Sequence, residues 1–401
     1  MHRPAPRSLV VSLVLTLLVA FGPLSTDLYL PALPTISTTF GVDSGSAQLT
    51  LSIFLLGFAA GMLAYGPLSD RFGRRPLIIG GIVVFVLATV GCALADSLES
   101  LIVWRFFQAI GACCGPVLGR ATVRDIYAPE DAARVMAYMG LAMGVAPAIG
   151  PVLGGLLTEV FGWRSTFIVL VVFGLSVGIA VVLLLGETNR YKNPEATRID
   201  RLIANYWVLL RHRIFLGYAL VQAAGYSGIF AYISASSFVL IDGVGLSPLA
   251  FGLCFGAVVL GFMLGTFLSG RTVRRVGLDR LMRIGTTLSL AMAVLLLALA
   301  LALPPSVPAV VGPMAGFMVG IGLTLPNAMA GALGPFPHMA GAASALMGFG
   351  QMGLAALVGF LVGQATEGTA LALGVALVAM SATAAAAHGL VVSRARPVPG
   401  H

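Results

Sequence analysis

The chain has 401 residues, 58% of them hydrophobic and only 9% charged, with a mean hydropathy of +1.00. A soluble domain carries roughly a quarter charged residues, so this composition excludes one and makes lipid the main solvent. The net charge of +8 would point a soluble protein toward nucleic acid. In a membrane chain arginines in loops set orientation instead, and nucleic acid is excluded as a partner.

A span needs about 20 apolar residues. Applied along the chain, this predicts an all-α membrane protein of twelve helices: 8–35, 46–68, 76–95, 98–120, 132–158, 164–186, 214–240, 249–269, 280–303, 307–329, 339–364 and 369–393. No small-residue cleavage site ends the first run, which reads as a retained helix rather than a signal peptide. Arg3, Arg7, the 71–75 group, Arg120, Arg124, Arg134, the 190–213 loop, the 271–283 group, Arg394 and Arg396 fall on one side. The opposite loops carry Asp43, Asp96, Glu99, Asp242 and Glu367, with Arg164 as the one clear basic residue. Both termini are therefore expected on the cytoplasmic side.

The connection that begins at Gly186 divides the chain into six-span lobes, 1–186 and 214–401, with 187–213 as a cytoplasmic linker. The halves repeat. Gly66 to Gly73 encloses Asp70-Arg71, with Arg74-Arg75 following. About 200 residues later Gly270 to Gly277 encloses Arg274-Arg275, with Asp279-Arg280 following. Arg274 stands where Asp70 would, so the copy is degenerate. Such a duplication implies two pseudo-symmetric lobes with a substrate site at the repeat interface, and nothing in it requires more than a monomer.

The stretch GPLSDRFGRRPLI (66–78) matches the loop 2–3 signature of the major facilitator superfamily, and the chain resembles that superfamily over nearly its whole length. LIVWRFFQAIGA (101–112) resembles the helix-4 motif, with Ala109 where Gly often follows Gln108. APAIGPVLGG (146–155) resembles the antiporter motif of helix 5. STDLYLPALP (25–34) and PFPHMAGAASALMGFGQM (335–352) are similar to the Bcr/CflA group of twelve-span drug–proton antiporters. The resemblance implies a bacterial inner-membrane exporter of small neutral or lipophilic antimicrobials in exchange for protons. Chloramphenicol and florfenicol, bicyclomycin or sulfonamides are the implied substrates. A proton-coupled exporter of a polar metabolite (sugar or amino acid) on the same fold is the alternative.

Asp27 is the one acid well inside an expected span, where a charge is expensive and functional by default. It is read as a proton-coupling or substrate-contacting carboxylate; the competing reading places it at a water-exposed helix end. Arg105 is its basic counterpart, expected to pair with Asp27 or to bind polar substrate groups. Gly66, Asp70, Arg71, Gly73, Arg74 and Arg75 form a gating loop, which in the family holds one conformational state together. Pro147, Gly150, Pro151, Gly154 and Gly155 make a bent, closely packing helix that seals against leak. Tyr29, Gln108, Met143, Gln222, Tyr226, Phe230, Tyr232 and Asn327 are candidate pocket residues.

No GxxxxGK[ST] loop is present, so no nucleotide hydrolysis is expected to power transport. The histidines lack ligand spacing, and His338 is expected to be structural. Cys92, Cys113, Cys114 and Cys254 read as small packing residues, and no metal or cofactor is expected. With neither a soluble sensor domain nor a catalytic cluster, a receptor or an enzyme is not expected.

Overall fold

A computed structural model describes residues 9–189, 192–336, 339–365 and 370–392; His338 lies outside them. The helices are α1 (Leu9–Val19), α2 (Phe21–Asp27), α3 (Leu33–Phe40), α4 (Ser44–Phe72), α5 (Arg74–Ala93), α6 (Leu98–Ile126), α7 (Pro129–Phe161) and α8 (Arg164–Leu184). They continue as α9 (Ile199–Arg211), α10 (Arg213–Ser237), α11 (Pro248–Val276), α12 (Leu278–Ala302), α13 (Val307–Leu333), α14 (Ala340–Ala365) and α15 (Leu371–Ala387). Among the described residues there is no strand. Among the described residues eleven helices are long and apolar enough to cross a membrane, or twelve if one bent pair counts as a single span.

Three expectations change. The first span is not one rod. It bends by 42° between α1 and the segment Phe21–Phe40, and a 3₁₀ turn at Leu30–Ala32 separates α2 from α3. Pro23 lies within α2, while Pro31 and Pro34 open the 3₁₀ turn and α3, positions that suit proline and that a continuous rod would not tolerate. The linker, read as a plain connection, contains a helix of its own, α9. Spans four and five also run longer than expected: the polar end with Arg124 and Asp125 keeps α6 helical to Ile126, and α7 runs from Pro129 to Phe161.

The chain packs as two units. Of the described residues, one holds those up to Asp43, Leu49–Ile199 and Ser247–Gly252; the other holds Ser44–Gln48, Asp200–Leu246 and those from Leu253 onward. Within the first unit small residues set the helix spacing. A Cβ on Gly61 would stand 2.8 Å from the Cys113 Cβ, and one on Gly111 would meet the Phe85 backbone. Cys92, Cys113 and Cys114 are buried, and at 113 and 114 the small thiols fill the space that facing glycines leave.

The repeated loop is visible in the backbone. Gly73 precedes α5 at φ 107°, ψ 159°, and Gly277 precedes α12 at φ 86°, ψ 150°. Both are left-handed conformations that glycine adopts without strain. They let one long helix stop and the next begin after a single residue.

Candidate functional site

The break in the first span creates the site. Past Asp27 the amide of Tyr29 turns to the Thr26 carbonyl, only three residues back, at 3.2 Å. The Ser25 carbonyl is taken up instead by the guanidinium of Arg105, whose Nη1 donates to it at 2.9 Å. The same Nη1 donates to Gln108 Oε1 at 2.6 Å, and Nε points at the Thr50 carbonyl at 3.4 Å. Arg105 is completely buried. Its guanidinium lies between two aromatic faces, 4.5 Å from the Tyr29 ring centroid and 4.3 Å from that of Phe54. Three hydrogen bonds and two cation–π contacts offset a burial that would otherwise be prohibitive.

The cage is itself anchored. Gln108 Nε2 donates to Thr89 Oγ1 at 2.9 Å, and Tyr29 OH shares a 2.7 Å hydrogen bond with Thr50 Oγ1. Glutamine and tyrosine are therefore locked rather than free to rotate. Arg105 Nη2 alone has no partner among the described residues.

Asp27 is 3% exposed, so it is buried by packing and not open at a helix end. Its Oδ1 accepts a 3.3 Å hydrogen bond from Thr26 Oγ1, and Oδ2 has no partner among the described residues. The expected ion pair with Arg105 is not formed. The guanidinium reaches the backbone two residues before Asp27, so the two charges connect through the α2 turn. Opposite Asp27 runs α7. A Cβ on Gly150 would lie 2.7 Å from the Asp27 Cβ, and one on Gly154 would meet the Leu28 carbonyl. A Cβ on Gly155 would meet the carbonyl of Pro248. Pro147 and Pro151 stand inside α7, which stays helical through both.

The signature loop forms a second polar constellation. Arg74 bridges two acids, at 2.6 Å to Asp70 and 2.9 Å to Asp125, and donates to Ser69 Oγ at 2.5 Å. Arg75 takes the carbonyls of Leu185 (2.8 Å) and Val182 (3.0 Å) at the end of α8, where a cation suits the helix dipole. Arg71 donates to Thr197 Oγ1 at 2.7 Å. Glu187 Oε1 accepts from the amide of Arg74 at 2.9 Å and Oε2 from that of Arg75 at 3.3 Å, capping the start of α5. In the copy the acid has moved: Asp279, two residues after Gly277, accepts from Tyr218 OH at 3.2 Å.

The remaining pocket candidates scatter. Gln222 donates to Gln351 at 3.1 Å, Tyr232 stacks on Phe255 with centroids 5.4 Å apart, and Phe230 is buried. Tyr226 shares α10 with them and is half-buried. Asn327 is occupied by Ser269 Oγ (2.8 Å) and the Leu323 carbonyl (2.7 Å). Met143 faces Arg120, Sδ accepting from Nη2 at 3.7 Å. Sequence reasoning missed Ser25, Thr50, Phe54, Thr89, Asp125 and Glu187. Only Asp125, an acid beside Arg124 at a helix end, carried a local signal.

Residues 15–360 match the family model described as Major Facilitator Superfamily. A chloramphenicol resistance protein of Pseudomonas aeruginosa is 34% identical over 80% of this chain and 76% of its own length. A bicyclomycin resistance protein homolog of Haemophilus influenzae is 29% identical over 89% of this chain and 90% of its own. Among solved structures, a bacterial homolog of the human lysosomal transporter Spinster, inward-facing and occupied, covers 96% of both chains with a TM-score of 0.74 at 18% identity.

Proposed function

The chain belongs to the major facilitator superfamily, and on that premise we propose that it exports small neutral or lipophilic antimicrobials by exchange with protons. The observation that carries this reading is Asp27, a carboxyl buried with one oxygen unpartnered, set against the close-packed glycines of α7. An unpaired carboxylate in such surroundings is costly, which suits a group that gains and loses a proton as its environment changes. The names of the relatives support the choice of antimicrobials such as chloramphenicol or bicyclomycin.

In this mechanism Asp27 holds a proton when it faces outward. Facing inward, drug binding and proton release compete. The two charges communicate through the backbone: Arg105 grips the Ser25 carbonyl, so a shift of the α2 turn on deprotonation pulls on the guanidinium. The cage of Tyr29, Phe54 and Gln108 then favours one of two arrangements, and the six-helix lobes, 1–186 and 214–401, rock between them. Asp70, Arg74 and Arg75 tie helix ends together in one state and release them in the other. Gln222, Tyr226, Phe230 and Tyr232 on α10 offer the aromatic and amide surface that a partly apolar drug needs. The protein works as a monomer in a bacterial inner membrane, with both termini cytoplasmic.

The test uses inside-out vesicles with an imposed proton gradient and a pH-sensitive dye. Adding chloramphenicol-type compounds releases protons from wild-type vesicles and not from Asp27→Asn vesicles. An equal response from both moves coupling to another group. Silence from both, with transport of a sugar or amino acid instead, replaces drug by metabolite.

A further inference from the structure

Helix α9 is too short to span a membrane: its 13 residues cover about 20 Å against the ~30 Å of a hydrocarbon core. Yet it presents large apolar side chains to the outside. Ile203, Trp207 and Leu210 are 61%, 54% and 44% exposed, and their spacing places them on one face. The neighbouring face, about a quarter-turn away at 3.6 residues per turn, is the one that packs on the protein. There Leu209 is fully buried in a cluster with Phe215, Tyr218, Met282 and Met347, and Tyr206 packs against that cluster. Val208 stands exposed outside the stripe.

A helix that docks on protein with one face and shows apolar groups on the adjacent one has the shape required to lie in a bilayer surface. Its position leaves few other settings. Only His212 separates the end of α9 from the start of α10, a membrane span that begins at Arg213, so its last turn sits at the boundary. Residues 187–213 carry six basic side chains against three acidic ones. Arg211 sets its guanidinium over the Trp207 ring at 4.7 Å, which puts a cation beside the apolar stripe, where a long basic side chain can reach a headgroup.

We infer that α9 is an interfacial anchor, its Ile203–Trp207–Leu210 stripe seated in the headgroup–acyl boundary of an anionic bilayer. Interfacial helices of this kind insert their apolar face about 5–10 Å and gain further from anionic lipid. The anchor ties the linker to the membrane while leaving Leu209 and Tyr206 as its hold on the protein.

The experiment uses the full-length chain with Trp104→Phe and Trp163→Phe, which leaves Trp207 as the sole indole. It is placed in nanodiscs of phosphatidylcholine alone or mixed with phosphatidylglycerol, each with lipids brominated at shallow or deep acyl positions. Trp207 emission is expected to be quenched by shallow bromines more than by deep ones, more strongly with phosphatidylglycerol, and to resist aqueous acrylamide. Quenching by acrylamide alone overturns the proposal. Protection from both quenchers also overturns it, because protein, for instance a second copy, then covers the stripe. Equal quenching with and without phosphatidylglycerol overturns the anionic preference. Should the doubly substituted chain fail to fold, the difference between wild type and Trp207→Phe gives the same readout.

Discussion

Gly150→Ala is the smallest change that disturbs Asp27 without replacing it. The added methyl would sit 2.7 Å from the Asp27 Cβ, whereas carbon atoms rest at about 3.5–4.0 Å. Either α7 or the Asp27 turn must then retreat by roughly 1 Å. Overpacking of this kind costs about 1–3 kcal/mol, and a misplacement of that size at a working group can cost on the order of a hundredfold in rate. The same helix supplies the control. Among the described residues nothing lies within 4 Å of the Gly144 Cβ position, so Gly144→Ala should be tolerated and gain up to about 1 kcal/mol of helix propensity. Both variants would be reconstituted in proteoliposomes and assayed for drug-dependent proton movement and thermal unfolding. Gly150→Ala should lose at least about tenfold in coupled transport, while Gly144→Ala keeps the wild-type rate. Indistinguishable rates for the two would refute the idea that close packing of α7 positions Asp27.

Arg105→Lys keeps the charge and loses the planar fork that meets Ser25 and Gln108 while stacked between two rings. Losing one charge-assisted hydrogen bond, worth about 1.5–3 kcal/mol, should lower transport roughly tenfold or more; a fully active lysine variant would show that the cage is incidental. Arg74→Ala leaves Asp70 and Asp125 side by side without their shared cation, and concentration-dependent efflux should show maximal rate falling more than apparent affinity. A fall in affinity alone would place Arg74 in binding rather than gating. Glu187→Ala removes the acceptor at the start of α5 and should cost about 1 kcal/mol, the usual worth of a helix cap, seen as a lower unfolding temperature at unchanged apparent affinity; an unchanged unfolding temperature would count against the cap.

Much of this architecture was legible in the residues. Spans announce themselves through apolar length, and the glycine–arginine loop through its charge between two such runs. Arg105 and Asp27 stood out because few charges occur inside spans. Their surroundings were not legible. The partners of Arg105 come from residues 80 and 55 positions away, Ser25 and Thr50, and no local pattern links them. Counting Asp27 along a straight helix failed for a different reason. Three prolines within twelve positions, Pro23, Pro31 and Pro34, signalled a break, and a count along one straight rod does not show that α7 packs over Asp27. Helix α9 escaped notice because thirteen residues with a narrow apolar face fall short of a span, and its face is divided between protein and surroundings.

The central claim is that drug and proton compete through Asp27, and proton release by the purified protein tests it most directly. The protein in weakly buffered detergent solution, with a pH indicator present, is mixed with a chloramphenicol-type compound. Wild type should release protons on drug binding, and Asp27→Asn should bind drug with no release. Drug binding to wild type without proton release, or equal release from the asparagine variant, would contradict the account.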